Sequence, residues 1–177
     1  MKLNIGRPQI EDTREIENMF RETIHDTFVR EGLLPMFKED LENEIQAKIE
    51  ALRFDFQTNG QEEYFLIAKI KQQIAGSIAY GKPNPIILDH LQVNLGYPEI
   101  KHVYILPKFQ NHGIGTKLLK HLANQLNQEE IDFFYLDSGF KMAQQFWIKM
   151  LGTPICTLAN YWGPNAHHMI WKHATRI

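Results

Sequence analysis

The stretch QNHGIGTKLLKHL, residues 110–122, constrains this chain more than any other. It sets Gly113 and Gly115 two positions apart, directly after the β-rich run HVYILPKF and directly before apolar residues at helical spacing. Glycine is costly at a helix start unless the backbone must approach something closely. A strand that turns through glycines into a helix aims free backbone N–H groups, and the positive end of the helix dipole, at one spot. That is an anion site, most often for phosphate. Lys108, Lys117 and Lys120 add positive charge close by. A tight strand-to-helix turn with solvated lysines would also use the two glycines, so the neighbouring motifs have to decide.

Two familiar phosphate loops fail. A P-loop needs G-x-x-x-x-G-K-[ST], whereas the order here is Gly115-Thr116-Lys117 and position 110 is Gln. The dinucleotide fingerprint G-x-G-x-x-G needs a third glycine where Leu118 stands. The run of three strands ahead of this unit also does not suit a doubly wound parallel sheet.

Periodicity supplies the rest of the order. After a short strand, LNIGR, residues Ile16, Phe20, Ile24 and Phe28 fall four apart on one helix face. Asp12 and Glu15 have the form of a capping box for that helix. A second helix follows from about Phe37, with Phe37, Leu41, Ile45, Ile49, Leu52 and Phe56 in one stripe and a solvated acidic face. EYFLIAKI and QIAGSIAYG, separated by KQQ, predict a hairpin. The Pro-rich connection KPNPIILDHLQVNLGYP has room for one helical turn. EIKHVYIL is the next strand, and Ile114, Leu118, Leu122 and Leu126 then line a helix. DFFYLD reads as a strand and KMAQQFWIKML as a helix closed by Gly152. PICTLA and HHMIWKH form two last strands around the aromatic loop NYWGPNA.

With 177 residues, 44% hydrophobic and 23% charged, the chain predicts one domain over 1–177 with a well-buried core. A formal charge of −2 argues against bulk electrostatic binding to nucleic acid or an anionic membrane. The first residues lack the apolar core of a signal peptide, and no apolar run approaches the roughly 18 residues of a membrane helix. The single cysteine, Cys156, has no internal partner and reads as a buried spectator, which fits a reducing cytoplasm. His167, His168 and His173 lie at strand spacing, the first two on opposite faces, so no metal site is expected.

What remains is Q-x-x-G-x-G after a strand ending VYILP. Here the sequence resembles the GNAT superfamily of N-acetyltransferases, whose central motif is [QR]-x-x-G-x-[GA] after a strand often ending V-x-P. AQQFWIKMLG, residues 143–152, is similar to the later family motif A-x-x-[FL]-Y-x-x-L-G. The element order, including two helices after the first strand, follows that fold over nearly the whole chain. The resemblance implies an α/β (α+β) fold with a mixed sheet of about seven strands flanked by about four helices. It implies acetyl-CoA as co-substrate. The pyrophosphate would be held by backbone N–H groups of Asn111, His112, Gly113, Ile114, Gly115 and Thr116, with Gln110 opening the motif. The pantetheine arm would pair with the strand at Val103, Tyr104 and Ile105.

Attack by an amine on a thioester needs a neutral amine, although a lysine-type amine has a pKa near 10.4. It also needs donors for the thioester oxygen and a proton for the leaving thiolate. The resemblance implies that a backbone N–H near Ile105 serves the oxygen. Glu99, at the start of the central strand, stands where several family members carry a glutamate acting through water. His102 and Asp137 are rivals, though strand alternation puts His102 on the face opposite Glu99. The proton donor departs from the family: its usual tyrosine falls on Trp147, and an asparagine often seen seven residues earlier falls on Phe140. Either Tyr104, Tyr135 or Tyr161 (the last in the aromatic loop) then serves, or the thiolate leaves unassisted and is protonated by water.

The expected activity is transfer of an acetyl group to a primary amine, on a small molecule or a peptide, in a ternary complex. A cytoplasmic enzyme with no nucleic-acid or membrane partner is expected, and a homodimer is compatible with the resemblance. Two other readings remain open: a non-catalytic acyl-CoA-binding regulator, and a nucleotide-binding interaction domain.

Overall fold

A computed structural model describes residues 2–177. In chain order the first half comprises β1 (Leu3–Gly6), α1 (Thr13–Arg30), α2 (Lys38–Thr58), β2 (Glu63–Ile70), β3 (Gln73–Gly81) and α3 (Pro85–His90). The second half comprises β4 (Glu99–Ile105), α4 (Ile114–Gln128), β5 (Phe133–Ser138), α5 (Lys141–Leu151), β6 (Cys156–Leu158) and β7 (His168–Ala174). The strand order is β1-β2-β3-β4-β5-β7-β6 in a mixed sheet of seven strands, as expected. Among the described residues there are five α-helices rather than about four, because Asn84-Pro85 starts a six-residue helix in the Pro-rich connection.

The chain forms two compact units. One runs up to Tyr80 and includes His102–Leu122; the other comprises Gly81–Lys101 and Ala123–Ile177. In the first, α1 buries Ile16, Phe20, Ile24 and Phe28, with Met19 and Thr23 at the intervening i+3 positions. α2 packs against it and buries Leu41, Ile45, Ile49 and Leu52. Each large apolar side chain so removed from water contributes roughly 1.5–3 kcal/mol. The ends of the second stripe differ from expectation: Phe37 precedes α2 and is exposed, and Phe56 is half-buried. Fully buried instead is Asp55, whose oxygens accept from Arg7 at 2.6 and 3.0 Å and from the Phe65 N–H at 3.0 Å. Burial raises its pKa, with the Arg7 and Phe65 bonds opposing the rise.

The Asp12–Glu15 capping box does not form. A 3-10 turn over Ile10–Asp12 precedes α1, and Asp12 accepts from the Gln9 N–H and from Lys69. Glu15 accepts from the Ile74 N–H at 2.9 Å. Both carboxylates therefore serve the hairpin β2–β3, a tertiary demand that local spacing does not reveal. The hairpin turn is Lys71-Gln72, both at positive φ, the geometry that matches the strands' twist.

Within this unit, β4 is shaped by β3. His102 has φ +54, which interrupts the strand's alternation, so its position cannot be counted by twos from Glu99. Its carbonyl accepts from Ser77 Oγ at 2.9 Å, and its ring stacks parallel on Phe65 at 5.1 Å. Gly76 then lets the strands approach: a Cβ there would lie 2.5 Å from Ile105 Cδ1 and 2.6 Å from the Tyr104 carbonyl oxygen. The second unit contains β5, β7 and β6, with β5 antiparallel to β7 and parallel to β4 at Glu99↔Tyr135. Ile87 of α3 packs there with Tyr135 and Ile170. No helix of the described residues is long and apolar enough to cross a membrane.

Because backbone atoms cannot step aside as a flexible side chain can, Gly76→Ala should cost about 1–3 kcal/mol of stability in a denaturant titration. An unchanged midpoint would mean that β3 and β4 are not held this closely.

Candidate active site

In the first unit, β4 leads through a 3-10 turn at Pro107–Phe109 into the glycine motif. Gln110 ties the loop to the strand: its Nε2 donates to the Ile105 carbonyl at 3.0 Å, while its Oε1 accepts from Arg30 at 3.2 Å. His112 Nδ1 donates to the Gln110 carbonyl at 2.7 Å. Asn111 and Gly113 both take left-handed backbone, at φ +62 and +75. Asn tolerates that region better than most residues, and glycine takes it without strain.

A Cβ on Gly113 would meet nothing within 4 Å, so this glycine serves the turn and leaves space open ahead of the helix. The bond from the Lys117 N–H to the Gly113 carbonyl, 3.1 Å, begins the ladder of α4, whose earlier N–H groups have no intrahelical acceptor. Gly115 and Thr116 lie in this first turn, held against the core by Ile114 and Leu118.

Val103, Tyr104 and Ile105 form the end of β4. The Tyr104 side chain packs edge-on to Phe20 and donates to Glu44 Oε1 at 2.9 Å. Burial raises its pKa well above the usual value and the Glu44 carboxylate adds to the rise, so this phenol is a poor proton donor. His102, the rival base, is held by Phe65 and lies 3.6 Å from Glu63.

The second unit gathers Glu99, Asn84, Asp137, His168 and Trp162. Asn84 caps α3, its Oδ1 accepting from the Ile87 N–H at 3.1 Å, which fixes the amide orientation and turns Nδ2 toward the carboxylates. Nδ2 donates to Glu99 Oε1 at 3.2 Å and to Asp137 Oδ2 at 2.6 Å, and the Asn84 N–H donates to Glu99 Oε2 at 2.7 Å. Glu99 is thus buried with both oxygens engaged, and Lys101 lies 3.5 Å away. Asp137 differs: its side chain keeps 14% exposure, and Oδ1 meets no hydrogen-bond donor among the described residues. His168 Nε2 also approaches Oδ2, at 3.1 Å.

The tyrosines separate as clearly. Tyr135 is buried and its hydroxyl accepts from the Asn94 N–H at 2.9 Å. Tyr161 is 42% exposed, edge-on to Trp162 and His90, and its hydroxyl has no partner among the described residues. Trp147, at the family's usual tyrosine position, is buried beside Phe146, and Phe140 caps α5 through its backbone carbonyl. Sequence reasoning missed Asn84 and His168. An Asn before a Pro that starts a helix was the available signal for Asn84.

The sequence model of the acetyltransferase (GNAT) family matches residues 26–152, well over half the chain, so the chain belongs to that family of acetyltransferases. No curated protein sequence matches it significantly. Among solved structures, the PaiA N-acetyltransferase from Thermoplasma acidophilum in complex with coenzyme A is 18% identical. It has a TM-score of 0.71 over 98% of this chain and 100% of that one. The ribosomal-protein-S18-alanine N-acetyltransferase from Escherichia coli is 14% identical, with a TM-score of 0.64 over 99% and 96%. A GNAT family acetyltransferase from Brucella melitensis in complex with acetyl-CoA is 18% identical, with a TM-score of 0.55 over 82% and 81%. At these identities the likeness establishes the fold.

Glu99→Gln would set an amide donor against the two Asn84 donors. It should therefore lower stability by about 1–3 kcal/mol, measured by thermal or chemical unfolding, besides any effect on rate. Full stability would show that Glu99 does not anchor the connection.

Proposed function

We propose that the chain is an acetyl-CoA-dependent N-acetyltransferase that transfers the acetyl group to a primary amine by direct attack in a ternary complex. The observation that carries this reading is Asp137, a partly exposed carboxylate with one oxygen held and the other left for an incoming group. Asp137 takes the amine proton, and Glu99 stands behind it through Asn84. The amine nitrogen bonds to the thioester carbonyl carbon and the carbon–sulfur bond breaks. The departing thiolate takes a proton from Tyr161 or from water. This last role follows from exposure, since Tyr104 and Tyr135 are committed elsewhere.

Support for the co-substrate comes from the open space at Gly113, the helix N-terminus that follows it, and coenzyme A or acetyl-CoA in two neighbours of the same fold. The backbone of 111–116 receives the pyrophosphate, and that of Val103–Ile105 the pantetheine arm. The acceptor amine belongs to a small molecule or a peptide; the Escherichia coli neighbour is named for a protein substrate.

The test is release of CoA thiol from acetyl-CoA across a panel of primary alkyl amines and peptides with free N-termini. Asp137→Asn should lower kcat/KM by about 100-fold or more while acetyl-CoA still binds. An unchanged rate would remove Asp137 as base, and binding without any amine-dependent release would favour an acyl-CoA-binding regulator. Gly113→Asp should lose CoA binding, since it puts a carboxylate where phosphate would sit. Its cost in stability should be only about 1–2 kcal/mol, from the left-handed backbone. Normal binding by that folded variant would refute the loop assignment.

A further inference from the structure

The family motifs give no task to Trp162 or His168, yet the two are joined by an unusual bond. Trp162 is 58% exposed, but its indole Nε1 lies 3.1 Å from Nδ1 of His168, a residue only 4% exposed. An indole N–H can only donate, so His168 Nδ1 carries the lone pair and the neutral ring's proton sits on Nε2. Nε2 is buried and 3.1 Å from Asp137 Oδ2, in a geometry that makes no hydrogen bond, so the ring meets that oxygen as a close polar contact. Asn84 meets the same oxygen at 2.6 Å. Two N–H groups on separate elements thus converge on Oδ2, and neither touches Oδ1.

The surroundings are built for this contact. A Cβ on Gly139, two residues after Asp137, would lie 2.7 Å from Trp162 Nε1 and 3.3 Å from His168 Nδ1. The glycine is needed for space, because its φ lies outside the left-handed region. Gln144 of α5, itself buried, donates to the carbonyls of Ser138 and His167 at 2.9 Å each. It thereby locks together the two chain segments that carry Asp137 and His168. The loop closes on itself through the Asn160 N–H to His167 Nδ1 (2.9 Å) and the Trp162 N–H to the Ala166 carbonyl (3.0 Å). An exposed indole is therefore held in place by its loop and by one polar bond, rather than by burial.

We propose that Trp162 and His168 are positioning residues for Asp137. The indole fixes the Nε2–H tautomer of His168, and that N–H restrains Oδ2 so that Oδ1 is the oxygen presented to the acceptor amine. The inference rests on the reading of Asp137 given above, and its first test does not depend on that reading. Nitrogen-15 NMR of the His168 ring should show the Nε2–H tautomer in the wild-type protein. Trp162→Phe keeps a ring in the loop but removes the N–H, so it should release a mixture of tautomers.

With the most active amine of the panel, Trp162→Phe should lower the acceptor kcat/KM by about 10- to 100-fold, the usual cost of losing an outer hydrogen-bond partner. KM for acetyl-CoA should stay unchanged. Gly139→Ala, which displaces the same contact, should show the same pattern. A wild-type Nδ1–H tautomer, or one unmoved by Trp162→Phe, would overturn the proposal. So would a moved tautomer with full activity toward the amine, or a loss of thermal stability alone. Full activity of Asp137→Asn would instead defeat the functional reading while leaving the tautomer result standing.

Discussion

Glu99 and Asp137 reach the same nitrogen, Nδ2 of Asn84. Two carboxylates this close, one of them buried, repel each other and lose hydration unless donors compensate both. Hydrogen bonds to charged groups are worth about 1.5–3 kcal/mol each, and Asn84 supplies three of them from its side chain and backbone. The amide can do so because its carbonyl is already engaged in capping α3. The short helix in the Pro-rich connection is thus what orients the amide, and the amide is what makes the carboxylate pair tolerable. Glu99 is consumed by this anchoring, whereas Asp137 emerges with one oxygen uncommitted.

Strand β4 meets a different demand at its other end. Left-handed backbone at a histidine costs of the order of 1 kcal/mol and persists only when its surroundings hold it. Ser77 captures the carbonyl of His102, Phe65 stacks on its ring, and Gly76 admits the next two residues against β3. Tyr104 is pinned to Glu44. The residues expected to meet the pantetheine arm are therefore set by the strand beside them, and their side chains are occupied in packing. Of the three candidate tyrosines Tyr161 alone is exposed, because the other two have structural commitments, and the family's usual position holds a core tryptophan.

Features that depend on near neighbours in the chain were legible in the sequence. The stripes of α1, α2 and α4 are visible as residues three and four apart, the hairpin from its turn, and the glycine motif from its spacing. Both motif glycines lie where the strand gives way to α4, with Gly113 at positive φ as a sharp turn requires. Asp12 and Glu15 misled because the partners that claimed them, Lys69 and Ile74, are far away in sequence. The same reason hid the Asn84–Asp137 and Trp162–His168 contacts: each partner alone is an ordinary cap, strand or loop residue. The face of His102 cannot be counted by twos from Glu99, because strand alternation presumes an uninterrupted strand and no residue type there announces the interruption. Gly139 had no signal either, since its need for space comes from an indole 23 residues on.

The most direct measurement is a calorimetric titration of the wild-type protein with acetyl-CoA, with ATP and NAD as controls. Saturable binding of acetyl-CoA, with neither nucleotide competing, is the predicted result, and the melting temperature should rise with ligand concentration as mass action requires. A folded sample that ignores acetyl-CoA, or prefers ATP or NAD, would contradict the assignment of the glycine loop and the acetyl transfer built on it.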